Sequence, residues 1–429
     1  MNRLGISLSA LFQVLVICSM PALAQQSTTV IVQHAKGKTE QKINEKIDRA
    51  IDGVFNMKIG GGRRNDADPV NQESNVPGQA GQATQPAMAG STSDTVPSWK
   101  LYSKFDFVSG DKVIFYEDFE SVATGDFPAN VNTNASGEVK QIEGRPGKWL
   151  SLTQNGSFIP EAIGVLPDNF TLEMNVAIIG DPGNNQSGLG FQFDTNPETL
   201  MDYHFAIASF VTMQPAGYLA TVNIVRQEAE PVRNEIKMDG WRQDIAPFAR
   251  LSFWRQKSRL RVYVNETKLL DVPRFFPEEK PYRLAIFRDF FGDCDLLLTE
   301  IKLAAGAPDT RNKLLSSGTF STTGILFDFQ KATLRPESYG VLKEISAVLK
   351  EDPSLKLMIV GHTSNDGDAA ANLVLSKQRA ASVKQALISA FGISADRLQT
   401  DGKGGAEPAD PGSTVAAKAN NRRVEFKKL

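Results

Sequence analysis

The sequence predicts a multidomain chain in which an all-β, jelly-roll-like sandwich is followed by a two-layer α+β domain. Three observations lead there. Between residues 99 and 305, apolar residues alternate with polar ones: Phe170, Leu172, Met174 and Val176 interleave with Thr171, Glu173 and Asn175. Leu260, Val262 and Val264 interleave likewise with Arg259, Arg261 and Tyr263, the period of two of a half-buried strand. After residue 321 the pattern changes to helical spacings alternating with short apolar runs. Residues 60–98 open with Gly60-Gly61-Gly62 and hold almost nothing large and apolar, so they read as a disordered linker.

Residues 1–24 have the form of a signal peptide: Arg3, an apolar stretch, then the small-x-small site Ala22-Leu23-Ala24. The stretch is shorter than the ~20 residues of a membrane span, and no later segment is long and apolar enough for a spanning helix. Cys18 follows the bulky Ile17, which argues against a lipid anchor. In the segment 25–59, Ile43, Ile47, Ala50, Val54 and Met57 step by 4, 3, 4 and 3, the seam of a coiled coil. Two heptads leave two readings open: a homo-oligomeric contact through Ile43–Met57, or one amphipathic helix packed on something else. The linker, if flexible, reaches ~30–40 Å.

Within residues 99–305, further strands are expected at 113–116, 189–193, 218–225, 249–254, 282–288 and 296–303. They are separated by the turn sequences Gly144-Arg145-Pro146-Gly147, Asp181-Pro182-Gly183-Asn184-Asn185 and Gly292-Asp293. Many strands and little helix make a sandwich or jelly roll. Leu260–Leu270 resembles the concanavalin/laminin-G-like sandwiches. Trp149, Trp241 and Trp254 are core residues or a binding surface for a glycan or envelope protein. A glycan-hydrolase reading needs paired carboxylates about 5–10 Å apart; Asp118 with Glu120 is the tempting pair, beside Thr299-Glu300.

Composition excludes several classes. A formal net charge of −2 gives no electrostatic case for nucleic acid. The three histidines, at 34, 204 and 362, fall in no metal-ligand spacing, and no cofactor is expected. With Cys18 removed, Cys294 has no intramolecular partner and reads as a small apolar residue.

Residues 306–320 connect to the last domain, 321–429. A strand is expected at 322–329, with Ile325, Phe327 and Phe329 on one core-facing side. Pro336 suits a first helical position, and Val341, Leu342, Ile345, Val348 and Leu349 form the inner face of the helix that follows. A central strand at 355–360, a long helix at 369–391 stopped by Gly392, and strands at 397–401 and 423–427 complete the domain. On the long helix, Asn372, Ser376 and Arg379 stand at i, i+4 and i+7, one face over about 10 Å. The helix start adjoins the loop His362–Gly367 and favours carboxylates. An arginine fork, neutral donors and the nearby Asp366 and Asp368 suit a zwitterion.

Four segments carry a resemblance: Phe327-Asp328-Phe329-Gln330-Lys331-Ala332-Thr333-Leu334, Gly361-His362-Thr363-Ser364, Leu375-Ser376 with Arg379-Ala380, and Asn420-Asn421-Arg422-Arg423-Val424-Glu425. Together they resemble the OmpA-like peptidoglycan-binding domain. The resemblance implies that Arg379 clamps a carboxylate of diaminopimelate in a peptidoglycan stem peptide. It implies that Asn372 and Thr363 line the same pocket, and that Arg422 and Arg423 form a basic pair on the last strand. The family has an Asp that accepts the ligand's ammonium; here Ser364 stands in its place. A lost charge-assisted partner typically forfeits ~1.5–3 kcal/mol. Either Asp366 turns inward as a replacement acid, or Asp366 or Asp368 caps the helix; a third reading keeps the fold and loses the ligand. Gly361 reads as a close backbone approach, His362 as structural, Arg423 as a ligand contact or a partner of a surface acid, and Lys331 and Arg335 as solvated.

The expectation is a non-enzymatic periplasmic protein held to the cell wall beneath a Gram-negative outer membrane, with the sandwich as a binding or scaffolding module. The alternatives are a cell-wall glycan hydrolase with a catalytic sandwich, and an oligomeric envelope scaffold.

Overall fold

The strongest alternation in the sequence forms the centre of the molecule. In the computed structural model, residues Asn169–Gly180 form a strand whose Phe170, Leu172, Met174, Val176 and Ile178 are wholly buried. Each such side chain contributes roughly 1.5–3 kcal/mol on burial. The structure describes residues 105–429, without 203–207, 218, 227–228, 239–240, 242–246, 278–279 and 307–308. The signal peptide, the 43–57 seam and the linker lie outside the described residues.

Among the described residues, fifteen strands come before residue 306: β1 (Lys112–Glu117), β2 (Val131–Thr133), β3 (Gly137–Gln141), β4 (Lys148–Leu152), β5 (Gly156–Pro160), β6 (Asn169–Gly180), β7 (Gly183–Asp194), β8 (Ser209–Gln214), β9 (Leu219–Arg226), β10 (Ala229–Lys237), β11 (Phe248–Gln256), β12 (Arg259–Val264), β13 (Thr267–Val272), β14 (Arg283–Phe291) and β15 (Cys294–Ala305). One sheet runs β13-β12-β11-β6-β15-β4-β3, with β1 paired to β15; the other runs β10-β9-β8-β7-β14-β5-β2. All their pairings are antiparallel. Inner faces of both sheets share one core, where Phe253 meets Phe191 at 4.5 Å between ring centroids. Trp149, Trp241 and Trp254 are all buried, so they pack rather than present a surface. Cys294 is half-buried, and burial pushes its thiol up to about 11, as a packing role requires.

The C-terminal part contains β16 (Thr319–Thr322), α1 (Tyr339–Glu351), β17 (Leu357–His362), α2 (Ala369–Phe391), β18 (Leu398–Gly404), α3 (Val415–Asn421) and β19 (Val424–Lys428). The sheet order is β16-β19-β17-β18, with β17 and β18 parallel and the other pairs antiparallel. Val341, Leu342, Ile345, Val348 and Leu349 are buried, as the helical spacing requires. Asp368 caps α2 by accepting the Ala371 N–H at 2.7 Å, and Gly392 ends it at φ 70°.

Two expectations fail here. The strand expected over 322–329 is β16, ending at Thr322; beyond it only Phe327 bridges, to Leu334. Consequently Phe329 is not core but 68% exposed, whereas Phe327 packs partly against the core. Arg335 is not solvated: it lies 3.4 Å from Glu300 and 3.0 Å from Glu337.

The sandwich and the C-terminal sheet belong to one unit, and the chain itself joins them. Phe105 and Phe107 pack on Trp254 and Tyr263 of the sandwich, while Val108 enters the C-terminal core. Asn420 at the end of α3 treats β1 as a neighbouring strand. Its Oδ1 accepts the Val113 N–H and its Nδ2 donates to the Val113 carbonyl, both at 2.9 Å. Lys313 meets Asp111 at 2.7 Å. Beneath the seam, Glu173 lies 2.7 Å from Arg250 and 2.8 Å from Lys302, all three buried, and accepts Ser109 Oγ–H at 2.6 Å.

Candidate functional site

The start of α2 is seated against two strands by close contacts. A Cβ on Gly361 would lie 2.2 Å from the Ser376 carbonyl oxygen, so the helix can approach β17 only over glycine. Ser376 is fully buried; its hydroxyl donates to the Leu373 carbonyl at 2.8 Å and accepts the Gly404 N–H at 2.9 Å. Ser376 therefore fixes the helix against β18 instead of facing a ligand. Three residues on, Arg379 emerges half-buried.

Arg379 is positioned with its charge uncommitted. Its Nε donates to the Lys331 carbonyl at 3.0 Å, and the guanidinium lies over the Phe327 ring, 4.9 Å from the centroid. No carboxylate pairs with it among the described residues. Burial, with the charge of Arg422 adding to it, lowers its pKa to about 10, so it stays cationic at neutral pH.

In the loop before α2 the two acids are engaged differently. Asp368 is the cap, which leaves Asp366 free of that task. Asp366 lies 2.8 Å from Lys418 of α3. Hydrogen bonding from Lys418 first, then from the Ser364 hydroxyl, holds its carboxyl below the usual range against a small burial cost, helped by the charges of Lys418 and Arg422. The Lys418 ion pair is the contact that places the Asp366 carboxylate. Asn372 shapes this loop, its Nδ2 donating to the Asp366 carbonyl at 2.7 Å. Thr363 is buried, its hydroxyl unpartnered among the described residues and its N–H donating to the Gly404 carbonyl at 2.9 Å.

The two C-terminal arginines separate. Arg422 has no acid partner among the described residues, lies 5.2 Å from the Tyr116 ring centroid of β1, and acts electrostatically on both Arg379 and Asp366. Arg423 is buried and committed, with Nε and Nη2 donating to Glu425 Oε1 at 2.9 and 2.6 Å. His362 Nε2 lies 3.5 Å from Glu425 Oε2. His362 first, then Lys427 and Arg423, hold the Glu425 carboxyl well below its ordinary range despite burial. That cluster reads as structural.

Sequence reasoning placed Arg379, Asn372, Ser364, Asp366 and Arg422 in one neighbourhood, and the geometry groups them. It missed Phe327 as the platform under Arg379, having counted it as core, and it missed Lys418 and Tyr116. Lys418 carried a readable signal, standing four residues before Arg422 on one helix; Tyr116 carried none. The carboxylates suspected of catalysis lie elsewhere. Asp118 and Glu120 fall in a loop after β1, where Asp118 Oδ1 accepts the Glu120 N–H at 3.2 Å. Because Phe119 between them has φ 58°, strand alternation does not apply. Glu300 is engaged by Asn175 and Arg335. Among the described residues no acidic or histidine cluster could hold a metal, and no helix is long and apolar enough to cross a membrane.

Residues 326–422 match the OmpA family. Over 102 residues the chain is 43% identical to the probable lipoprotein YiaD of Escherichia coli, covering 24% of this chain and 46% of that protein. It is 36% identical over 114 residues to the peptidoglycan-binding protein ArfA of Mycobacterium tuberculosis, covering 26% and 35% respectively. Among solved structures, the peptidoglycan-associated lipoprotein of Burkholderia pseudomallei is similar at 26% identity and TM-score 0.24, over 28% of this chain and 98% of that one. The chain spans less than half the length of these two curated relatives. The C-terminal part of the chain, residues 326–422, is a domain of the OmpA family.

Proposed function

We propose that this chain binds peptidoglycan noncovalently as a non-enzymatic envelope protein, gripping the zwitterionic end of diaminopimelate at the start of α2. One observation carries the reading: Arg379 is oriented by Phe327 and the Lys331 carbonyl while no acid neutralises it among the described residues. A guanidinium held this way offers a bidentate, charge-assisted grip on a carboxylate. Asp366, two residues after Ser364 in the same loop, supplies the acid for the ligand's ammonium. In the free protein the Lys418 ammonium occupies that acid and yields to the ligand. A relative whose name states peptidoglycan binding supports the same reading.

The sandwich then serves as a module seated beside the wall site, since Tyr116 of β1 lies under Arg422. Periplasmic residence, at the wall and outer membrane, follows from the ligand. The test is retention of the full chain on isolated sacculi, with Arg379→Ala beside it. Retention that falls on substitution supports the reading; absence of retention in both, or equal retention, rejects it.

A further inference from the structure

A second polar site lies at the seam between β1 and the C-terminal sheet, away from Arg379. A cavity of about 500 Å³ is lined there by Asp111 just before β1, Lys112 of β1, Ser321 of β16, Thr323 just after it, Asp410, and Arg423. Its frame is fixed: Asn420 holds β1 through both Val113 groups. Asn421 holds the far wall, its Oδ1 accepting the Asp410 N–H at 2.9 Å and its Nδ2 donating to the Asp410 carbonyl at 2.8 Å.

The charged groups in this lining are unevenly committed. Asp111 is neutralised by Lys313 at 2.7 Å, and one Asp410 oxygen accepts the Gly412 N–H at 3.0 Å. Lys112, by contrast, has no ion-pair partner among the described residues. Arg423 spends Nε and Nη2 on Glu425, leaving Nη1 buried without a partner, and the buried Thr323 hydroxyl is also unpartnered. Buried polar groups are ordinarily satisfied, and these two orphans belong to residues that line the cavity, where a ligand group can satisfy them. One uncommitted ammonium, Lys112, with the spare Nη1 donor of the Glu425-paired Arg423, calls for an anion. The hydroxyls and the spare Asp410 oxygen call for a partner rich in hydroxyls, and the volume is that of a small-molecule site.

We propose that this seam cavity binds a sugar carboxylate, with Lys112 and Arg423 facing the carboxylate and Ser321, Thr323 and Asp410 taking the hydroxyls. Because Asp111 and Lys112, at the start of β1, form one wall, the site exists only where the sandwich and the C-terminal domain are joined. The carboxylate can come from a free acidic sugar or from glycan strands stripped of their stem peptides, whose muramyl carboxylates are exposed.

The experiment is calorimetric titration of the full chain with N-acetylmuramic acid, with neutral N-acetylglucosamine, and with stripped glycan strands. The acidic sugar should bind about tenfold or more tightly than the neutral one, the worth of one charge-assisted contact. Lys112→Ala and Thr323→Val should each weaken it several-fold, while Arg379→Ala leaves it unchanged. Stripped strands binding as well as the free sugar would assign the wall glycan as the source; the free sugar alone would assign a soluble metabolite. Equal binding of the acidic and neutral sugars, no binding of either, or indifference to both seam substitutions would overturn the proposal. Loss of diaminopimelate binding in Arg379→Ala is read separately, so failure at one site is distinguishable from failure at the other.

Discussion

Arg250 in the sandwich and Arg379 at the start of α2 are both arginines drawn out of water, and they are treated in opposite ways. Arg250 faces Glu173 at 2.7 Å and the Asn175 side-chain oxygen at 3.1 Å, with Glu300 at 3.7 Å. Glu173 is shared with Lys302. Every charge in that region answers another. Arg379 has an aromatic ring, one backbone carbonyl and a second arginine as neighbours. A buried pair gives little net stability but is costly to break. An oriented, unneutralised guanidinium is available to a carboxylate. Under the proposed function, the difference separates a charge that holds the seam together from a charge available to a ligand.

Substitutions can break that contrast, and the largest effect belongs to the paired region. Glu173→Ala leaves Lys302 and Arg250 buried without their acid and should cost ~3–5 kcal/mol of stability, read by denaturant unfolding. The same group sets a pH dependence. Burial alone would raise its pKa, but Lys302 and Arg250 outweigh that and hold it at about 2. With the folded value depressed, its stabilisation is full above the ordinary carboxylate pKa of about 4.5 and is lost as pH falls from there toward 2. Unfolding midpoints of the parent chain should decline across that window, and Glu173→Gln should flatten the decline.

Arg379→Ala comes next, with an expected ten- to hundredfold loss of diaminopimelate affinity, about 1.5–3 kcal/mol, and a nearly unchanged unfolding midpoint. A large stability loss there would erase the contrast with Arg250. Asp366→Asn should lower affinity by about tenfold, whereas Lys418→Ala removes the internal ammonium and should raise affinity by up to about fivefold, the worth of an exposed ion pair. Opposite signs at these two positions are the signature of a replacement acid. The smallest effect is expected of Tyr116→Ala. Loss of one cation–π contact, ~0.5–1 kcal/mol, should weaken binding a few-fold and show whether the sandwich steadies Arg422.

Locally encoded features were legible in the sequence. Helix α2 runs over the residues expected, because the cap at Asp368 and the left-handed Gly392 act within one turn of its ends. Strands β6, β11 and β12 were legible because alternation persists along them, and β15 because it carries the apolar run Leu296-Leu297-Leu298 near its start. The short strands β2 to β5, of three to five residues, carry too few residues to show a period. Phe329 misled because alternation was extended across Gly324, where the strand has already ended. At the site, Asn372 and Arg379 could be grouped by helical spacing, whereas which of Asp366 and Asp368 caps α2 is seen only in the capping geometry. Asn420 on Val113, separated by 307 residues, and Tyr116 under Arg422 follow from how two sheets meet, and no local pattern announces them.

Calorimetric titration of the full chain with diaminopimelate, beside Arg379→Ala, tests the central claim most directly. Saturable binding by the parent chain that drops ten- to hundredfold on substitution, at unchanged unfolding midpoint, is the predicted result. No binding by the parent, or equal binding by both, would contradict the account.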